Sequence, residues 1–298
     1  MTRRPSPADW IADKHVDLQE ENELLRIELR KAFTLEPAKP RKLRARYRAA
    51  HGKFRRYLVI PDTQVRPGVP TDHLEWAGRY IADKRPDVVV HLGDHFDFPS
   101  LNTHTSDVAK AFSGVDYAED IKAGNAALAR LTAPYRGIKD YKPEEHFLMG
   151  NHEDRLTRTV SNLPFLRGVV KLEDMDLDGW EVHPFLRPVT LDGVLFAHYF
   201  ANPFSGRPIG GTAHNLLRYV GRSCVQGHKQ TLDCAIQQLP DGTQRRATVA
   251  GAFYTHNEDY KGEQGNGHFR GLIVMNEVNA GMWDQLEVSV EFLRRKYG

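Results

Sequence analysis

Five stretches of the chain place metal-ligating or proton-transferring side chains directly after short apolar runs. Tyr57-Leu58-Val59-Ile60 is followed by Pro61-Asp62-Thr63-Gln64, and Val88-Val89-Val90-His91-Leu92 by Gly93-Asp94-His95-Phe96-Asp97. Phe147-Leu148-Met149 leads into Gly150-Asn151-His152-Glu153, Val194-Leu195-Phe196-Ala197 into His198, and Ser223-Cys224-Val225-Gln226 into Gly227-His228-Lys229-Gln230. An apolar run that stops abruptly at a polar residue reads as a buried strand delivering that residue to a sheet edge. One such end would mean little, since strands often end in Asp. Five ends offering Asp, Asn, His and Gln describe a metal site.

The elements that must position these residues follow from the pattern around them. Residues 57–152 read β-α-β-α-β: strand 57–60, helix 71–84 stopping before Arg85-Pro86, strand 87–92, helix 115–133 and strand 145–149. Such alternation predicts a layered α/β fold with strands pointing the same way, and ligands gather at the carboxyl ends of such strands. The connection 96–115, with Ser100, Asn102, Thr103, His104 and Lys110, is long enough to form either a substrate rim or a structural loop. Residues 153–192 read as a less regular insertion with a helix beginning near Glu153. Strands follow at 194–198, 222–226, 232–239, 246–254, 270–276 and 283–289, with a helix at 212–220 and a hairpin turn at Asp241-Gly242.

The 298 residues carry a net charge of +2, which by itself points to no partner, but the charge is unevenly placed. Residues 38–56 hold nine Lys or Arg and no acid, including Arg41, Lys42, Arg44, Arg46 and Arg48, with Tyr47 and Phe54 interleaved. Such a run can neutralise phosphates of DNA or RNA, or serve as a basic linker. Upstream, residues 8–33 lack Gly and Pro, and Ile11, Leu18, Leu25 and Ala32 recur every seventh residue. Lys14, Glu21 and Glu28 occupy the second apolar position of that heptad, so oligomerisation through 8–33 competes with an amphipathic helix packed on its own domain. The division expected is an arm over 1–53 and one domain over 54–298. No apolar run suits a membrane span or signal peptide, and Cys224 and Cys234 make no disulfide framework, so a cytoplasmic protein is expected.

In order and in type, the five words resemble the blocks of the calcineurin-like metallophosphoesterases: Asp-x-His, Gly-Asp-x-x-Asp, Gly-Asn-His-Glu/Asp, a single His after a strand, and Gly-His-x-His. The resemblance covers residues 57–230. It implies an α/β fold of four layers, an αββα sandwich with two mixed β-sheets flanked by helices, to which this chain adds its N-terminal helical and basic arm. It also implies two divalent metal ions and in-line attack of a metal-bridging hydroxide on a phosphoester. Carried over residue by residue, metal A falls to Asp62, Gln64, Asp94 and Gln230, and metal B to Asp94, Asn151, His198 and His228. His152 would protonate the leaving oxygen, with Asp97 holding its imidazole. The residue types suit this chemistry. A carboxylate such as Asp94 can bridge two cations, and neutral His and Asn ligands leave the site positive enough to attract phosphate.

Two departures give the chain its individuality. Gln64 and Gln230 stand where the family usually has His, and both changes fall on metal A. Amide oxygens make that site harder, favouring Mn²⁺, then Mg²⁺, over Fe²⁺ or Zn²⁺. Secondly, Asp97 is followed by Phe98-Pro99-Ser100 rather than the Arg-Gly of the protein-phosphatase branch. Arg155 is a candidate for the missing guanidinium, against an ion pair on its own helix. His95 is a candidate for the substrate face, and Arg207 for a phosphate-facing loop. The reaction expected is phosphoester hydrolysis by a phosphodiesterase or nuclease. A phosphomonoesterase acting on a small molecule or phosphoprotein is the alternative enzyme, and a nucleic-acid-binding or assembly protein with a vestigial metal site is the alternative of another class.

Overall fold

The computed structural model describes residues 54–102, 114, 116–258 and 262–298. The arm over 1–53, with its heptad and basic run, therefore lies outside the described residues, as does most of the 96–115 connection.

The first strand, β1 (Arg55–Ile60), pairs in parallel with β2 (Val88–His91), which pairs in parallel with β3 (Glu144–Leu148), which pairs in parallel with the edge strand β4 (Glu181–His183). On the other side of β1, β10 (Gly271–Asn279) and β11 (Met282–Ser289) add antiparallel, giving the order β11-β10-β1-β2-β3-β4. The second sheet runs β5-β6-β7-β9-β8, from β5 (Val189–Leu191), β6 (Val194–Ala197), β7 (Cys224–Gln226), β8 (Leu232–Gln238) and β9 (Gln244–Ala250). Its central strands β6, β7 and β9 are parallel and its edges antiparallel.

Both faces of β1 are covered, which is why its sequence shows no polar alternation. Tyr57 and Val59 join Val88, Val90, Phe196, Val225, Ile273 and others between the two sheets. Leu58 and Ile60 face the opposite way, into a core with helices α1 (Asp72–Lys84), α2 (Tyr117–Arg136) and α6 (Val290–Tyr297). On the far side of the second sheet, Ala213, Leu216 and Leu217 of α4 (Ala213–Val220) pack on Ala235, Ala247 and Val249. Two mixed sheets between helical layers make the expected α/β sandwich. Helices α3 (Asp154–Asn162) and α5 (Gly262–Asn266) complete the α-helices among the described residues. No helix among the described residues is long and apolar enough to cross a membrane.

Strands β4 and β5 and helix α6 are not among the elements expected from the sequence. The two strands are three residues each, too short for a period to register, and exist because a neighbouring strand offers them a ladder. Helix α6 did carry a signal: Ser289 caps it by accepting the Phe292 amide at 3.2 Å, and Val290 and Leu293 are buried on one face.

Candidate active site

Because β1, β2 and β3 are parallel and in register at Ile60, His91 and Phe147, their carboxyl ends deliver Asp62, Asp94 and Asn151 to one edge. In the second sheet, β6 and β7 are matched at Ala197 and Gln226, so His198 and His228 arrive at the facing edge. The site is the seam between the two sheets. Among the described residues, Asp94, His198 and His228 have donor atoms within 4.8 Å of one another.

The turns that hold the ligands are strained. Gln64, Asp94, His228 and Gln230 all take positive φ, at 41°, 50°, 65° and 58°. Left-handed backbone costs a non-glycine residue on the order of 1 kcal/mol, and such strain collects at functional sites. Two glycines matter here for lack of a side chain rather than for φ. A Cβ on Gly227 would stand 2.5 Å from Asp62 Oδ1, and one on Gly150 would overlap Asp94 Oδ1. Each glycine lets a carboxylate from another strand lie against its backbone.

The donors point at each other in a way that calls for cations. His198 donates Nδ1–H to the Leu92 carbonyl at 2.8 Å, which leaves Nε2 as the lone-pair nitrogen of the neutral ring. That Nε2 lies 3.0 Å from Asn151 Oδ1 and 3.3 Å from Asp94 Oδ2. As placed, three acceptors converge, an arrangement that an added proton or a cation satisfies. Asp62, fully buried, accepts the His228 amide on Oδ1 at 2.9 Å, while its Oδ2 is buried without a hydrogen-bond partner. Burial and the neighbouring Asp94 charge push Asp62 up to about 6. Burial alone would lower His198, but Asp94, with Asp62 and Glu153, lifts it to about 9. A field that strong toward a proton is equally a field toward a metal ion. The residues present fit divalent cations.

The two halves of the set differ. Asn151, His198, His228 and Asp94 lie together on one side of the seam. On the metal A side, Gln64 and Gln230 are buried, and Gln230 Oε1 already accepts the Tyr254 hydroxyl at 3.0 Å. Asn151 also lines a cleft of about 250 Å³, together with Asn102, Asp154, Arg155, Arg158, Phe185 and Tyr199.

His152 and Asp97 stand side by side. Asp97 Oδ1 is 2.8 Å from His152 Nδ1, and His152 Nε2 is 3.7 Å from Asp94 Oδ2. Burial favours the neutral acid of Asp97, but the hydrogen bond to His152 and the charges of Arg66 and Arg155 outweigh it and hold the carboxyl below its ordinary value. Arg66 ties Asp97 Oδ2 and Glu258 Oε1, each at 2.9 Å, so the carboxylate is fixed from behind. No sequence pattern signalled that brace.

The peripheral candidates fare differently. His95 does not face substrate. It is fully buried, with Nδ1 2.7 Å from the Thr63 hydroxyl and Nε2 3.0 Å from the Gly124 carbonyl. Asp94 and His95 are neighbours in a turn, so aiming one at the seam aims the other beneath α2. Arg155 lines the cleft and makes no ion pair on its own helix. Its guanidinium donates to the Asp97 carbonyl at 2.5 Å and lies 3.2 Å from His152 Nε2, while the ion pair on α3 belongs to Arg158 and Asp154. Arg207 is exposed and is not among the residues lining the cleft. From the long connection, Asn102 lines the cleft, whereas Ser100 hydrogen-bonds Asp120.

The residue most undervalued by sequence is Glu153. Its buried carboxylate accepts four backbone amides: Asp94 at 2.9 Å, His95 at 2.7 Å, Phe96 at 3.0 Å and Gly150 at 2.8 Å. It clamps the Asp94 turn to the Asn151 turn. The acid closing Gly-Asn-His-Glu was its only signal. Glu153→Ala strands those amides, and a buried unpaired donor costs about 1–3 kcal/mol each. The expected result is a loss of at least ~3 kcal/mol in urea unfolding, together with weakened metal uptake. Unchanged stability would mean that the turns hold without the clamp.

A family model described as calcineurin-like phosphoesterase matches residues 55–264 of the chain. Two phage proteins are also similar to it. The Gene 54 protein of Mycobacterium phage D29 is 29% identical over 182 residues, covering 58% of this chain and 68% of that protein. The Gene 54 protein of Mycobacterium phage L5 is 28% identical over 186 residues, with the same shares covered.

Proposed function

This chain belongs to the calcineurin-like phosphoesterase family and is a metal-dependent phosphoric ester hydrolase, and from that premise we propose that its substrate is a phosphodiester. The observation that carries this reading is the space around the metal residues. The 250 Å³ cleft shares Asp154 and Phe185 with a groove of about 820 Å³ that runs along Met149, Leu172, Met175, Leu177 and Val182. A monoester needs room for one organic substituent, and a diester for two.

When bound, two divalent cations supply positive charge to phosphate oxygens and lower the pKa of water. Asp62, Gln64, Asp94 and Gln230 would hold one, and Asp94, Asn151, His198 and His228 the other. Arg155 and Arg158 add positive charge at the cleft. His152 donates a proton from Nε2 to the departing oxygen while Asp97 fixes Nδ1. Arg155 leans on that same Nε2, so a phosphate drawing the guanidinium toward itself frees the nitrogen for its proton. Mn²⁺ is the proposed metal, in keeping with the amide oxygens of Gln64 and Gln230. Gln64→His with Gln230→His is expected to tighten Zn²⁺ at site A on the order of tenfold per imidazole, about 1.4 kcal/mol each, measured by competition calorimetry. No gain in zinc affinity would show that the amides do not ligate.

DNA or RNA as the diester rests on the basic run containing Arg41, Lys42, Arg44, Arg46 and Arg48. Association through residues 8–33 and a cytoplasmic location belong to the same proposal, the latter in keeping with Cys224 and Cys234 being unpaired. A second reading, a phosphomonoesterase for small molecules, draws on one feature. The groove carries Asp154, Glu173, Asp174, Asp176 and Asp178 against Arg187, a poor track for a polyanion.

Hydrolysis by the full chain loaded with Mn²⁺ tests the proposal. Bis-p-nitrophenyl phosphate should be turned over faster than p-nitrophenyl phosphate. Preference for the monoester would transfer the assignment to the second reading, and equal inactivity of metal-loaded protein would favour a binding or assembly role. Removal of residues 1–52 should abolish salt-dependent DNA binding and spare small-substrate hydrolysis.

A further inference from the structure

A second set of metal-ligating side chains lies at the edge of the six-stranded sheet, on β4 and on the body of β3, upstream of the turn that carries Asn151. There β3 and β4 pair in parallel, with His146 opposite Glu181 and Leu148 opposite His183. His146 Nδ1 is 3.0 Å from His183 Nε2 and 3.6 Å from Glu181 Oε2, and His183 Nε2 is 4.0 Å from Glu181 Oε1. All three donor atoms fall within 4.8 Å of one another. Ligand atoms held about 2.0–2.1 Å from a tetrahedral zinc ion stand roughly 3.3 Å apart. The separations in the cluster, 3.0 to 4.0 Å, bracket that spacing.

Neutral rings do not satisfy the cluster on their own. His146 is only 4% exposed, and its Nε2 is buried without a hydrogen-bond partner. The Glu144 carboxylate faces that nitrogen at 3.9 Å, beyond hydrogen-bond reach. If Nε2 is a lone pair, an acceptor faces a carboxylate. If Nε2 carries the proton, Nδ1 is a lone pair aimed at His183 Nε2 and Glu181. With neutral rings the metal-free arrangement is then a single shared proton from His183, with the Glu181 carboxylate, 61% exposed, left to water rather than bonded to either ring. A cation uses all three donors at once and places Glu144 where an outer carboxylate steadies a liganding imidazole.

We propose that His146, Glu181 and His183 bind one zinc ion, which pins the edge strand β4 to β3. Glu181 is exposed enough to leave the fourth position to water. The pin has a consequence for the cleft. The His183 carbonyl accepts the Met149 amide at 2.9 Å, the last rung before Gly150-Asn151-His152. The chain then passes through Pro184 to Phe185, whose ring meets Tyr199 edge-on at 5.4 Å in the cleft wall. A three-residue edge strand is a weak support for such a wall, and a metal crosslink strengthens it.

The test uses the full chain in two backgrounds, so that it stands apart from the phosphodiesterase assignment. In an Asp94→Ala background, which disables the catalytic centre, Co²⁺ should bind at one equivalent with the visible absorption of a four-coordinate nitrogen-oxygen site, and Zn²⁺ should displace it. His183→Ala added to that background should abolish the signal, and Glu144→Gln should weaken it by about 10–100-fold. In the otherwise unaltered protein, His183→Ala should lower zinc content by one equivalent and remove a zinc-dependent rise in melting temperature. Zinc content and melting behaviour unchanged by His183→Ala would overturn the site. A featureless Co²⁺ titration in folded Asp94→Ala protein, checked by circular dichroism, would do the same.

Discussion

Asp94→Ala is expected to remove metal and turnover together. The side chain is 2% exposed, and each oxygen is committed: Oδ1 accepts the His152 amide at 2.9 Å, and Oδ2 lies 3.3 Å from His198 Nε2. No other carboxylate of the set stands between the two groups of candidate ligands. Truncation leaves Asp62 alone to offset the charge of two cations, and it frees the His152 amide from its acceptor. Loss of both ions should cost on the order of 10⁴-fold or more in kcat/KM, about 5 kcal/mol of transition-state stabilisation. Elemental analysis of the desalted variant beside its kinetics decides the matter. Asp94→Asn keeps the shape and the amide contact while removing the charge, so it separates electrostatics from folding. A variant that retains a full metal complement would show that Asp94 is not shared.

His152→Ala should give the opposite split, with metal content preserved and turnover lost by roughly 10²–10⁴-fold, the range for removing a general acid. The loss should depend on the leaving group. An alkoxide leaving group needs the proton and p-nitrophenolate scarcely does, so alkyl diesters should suffer far more than p-nitrophenyl ones. Equal losses on both would assign His152 a structural part instead.

The pH dependence follows from the same pair. Burial by itself would lower His152, but the Asp94 charge and the Asp97 hydrogen bond raise it above its ordinary value. Cations on Asp94 cancel much of that carboxylate's pull, leaving Asp97 to sustain the protonated ring. A raised histidine pKa keeps its acid form to higher pH. Its contribution to stability is full below the unfolded value and is lost as pH rises through the folded one. Asp97→Asn should therefore move the basic limb of the kcat–pH profile to lower pH. A limb that stays in place would mean that Asp97 does not hold the proton.

Much of this site was legible because its signals are local. The run Tyr57–Ile60 is apolar at every position because β1 is covered on both faces, and a strand so covered must end at a sheet edge. Asp62, Asp94, Asn151, His198 and His228 follow such strands directly, and parallel register carries them to one seam. Less was legible where geometry turns on a single dihedral. Asp94 and His95 are equally polar neighbours, yet a φ of 50° at Asp94 sends one carboxylate to the metal residues and one imidazole into the core. Nor does sequence say where a flexible guanidinium will rest: Arg155 settled on the Asp97 carbonyl rather than on an acid of its helix.

Residue type and the pattern of individual strands were enough to suggest a metal site, and the resemblance of the five blocks to a known family supplied the expected reaction and the two departures at Gln64 and Gln230. Packing added what they could not: Glu153 clamps two turns through four amides, Arg66 braces Asp97, and His146 meets His183 across β3 and β4. Each of those contacts joins residues from separate elements through hydrogen bonds of fixed direction. Direction is a property of the packed chain, because it requires both partners to be oriented by neighbours that no local pattern encodes.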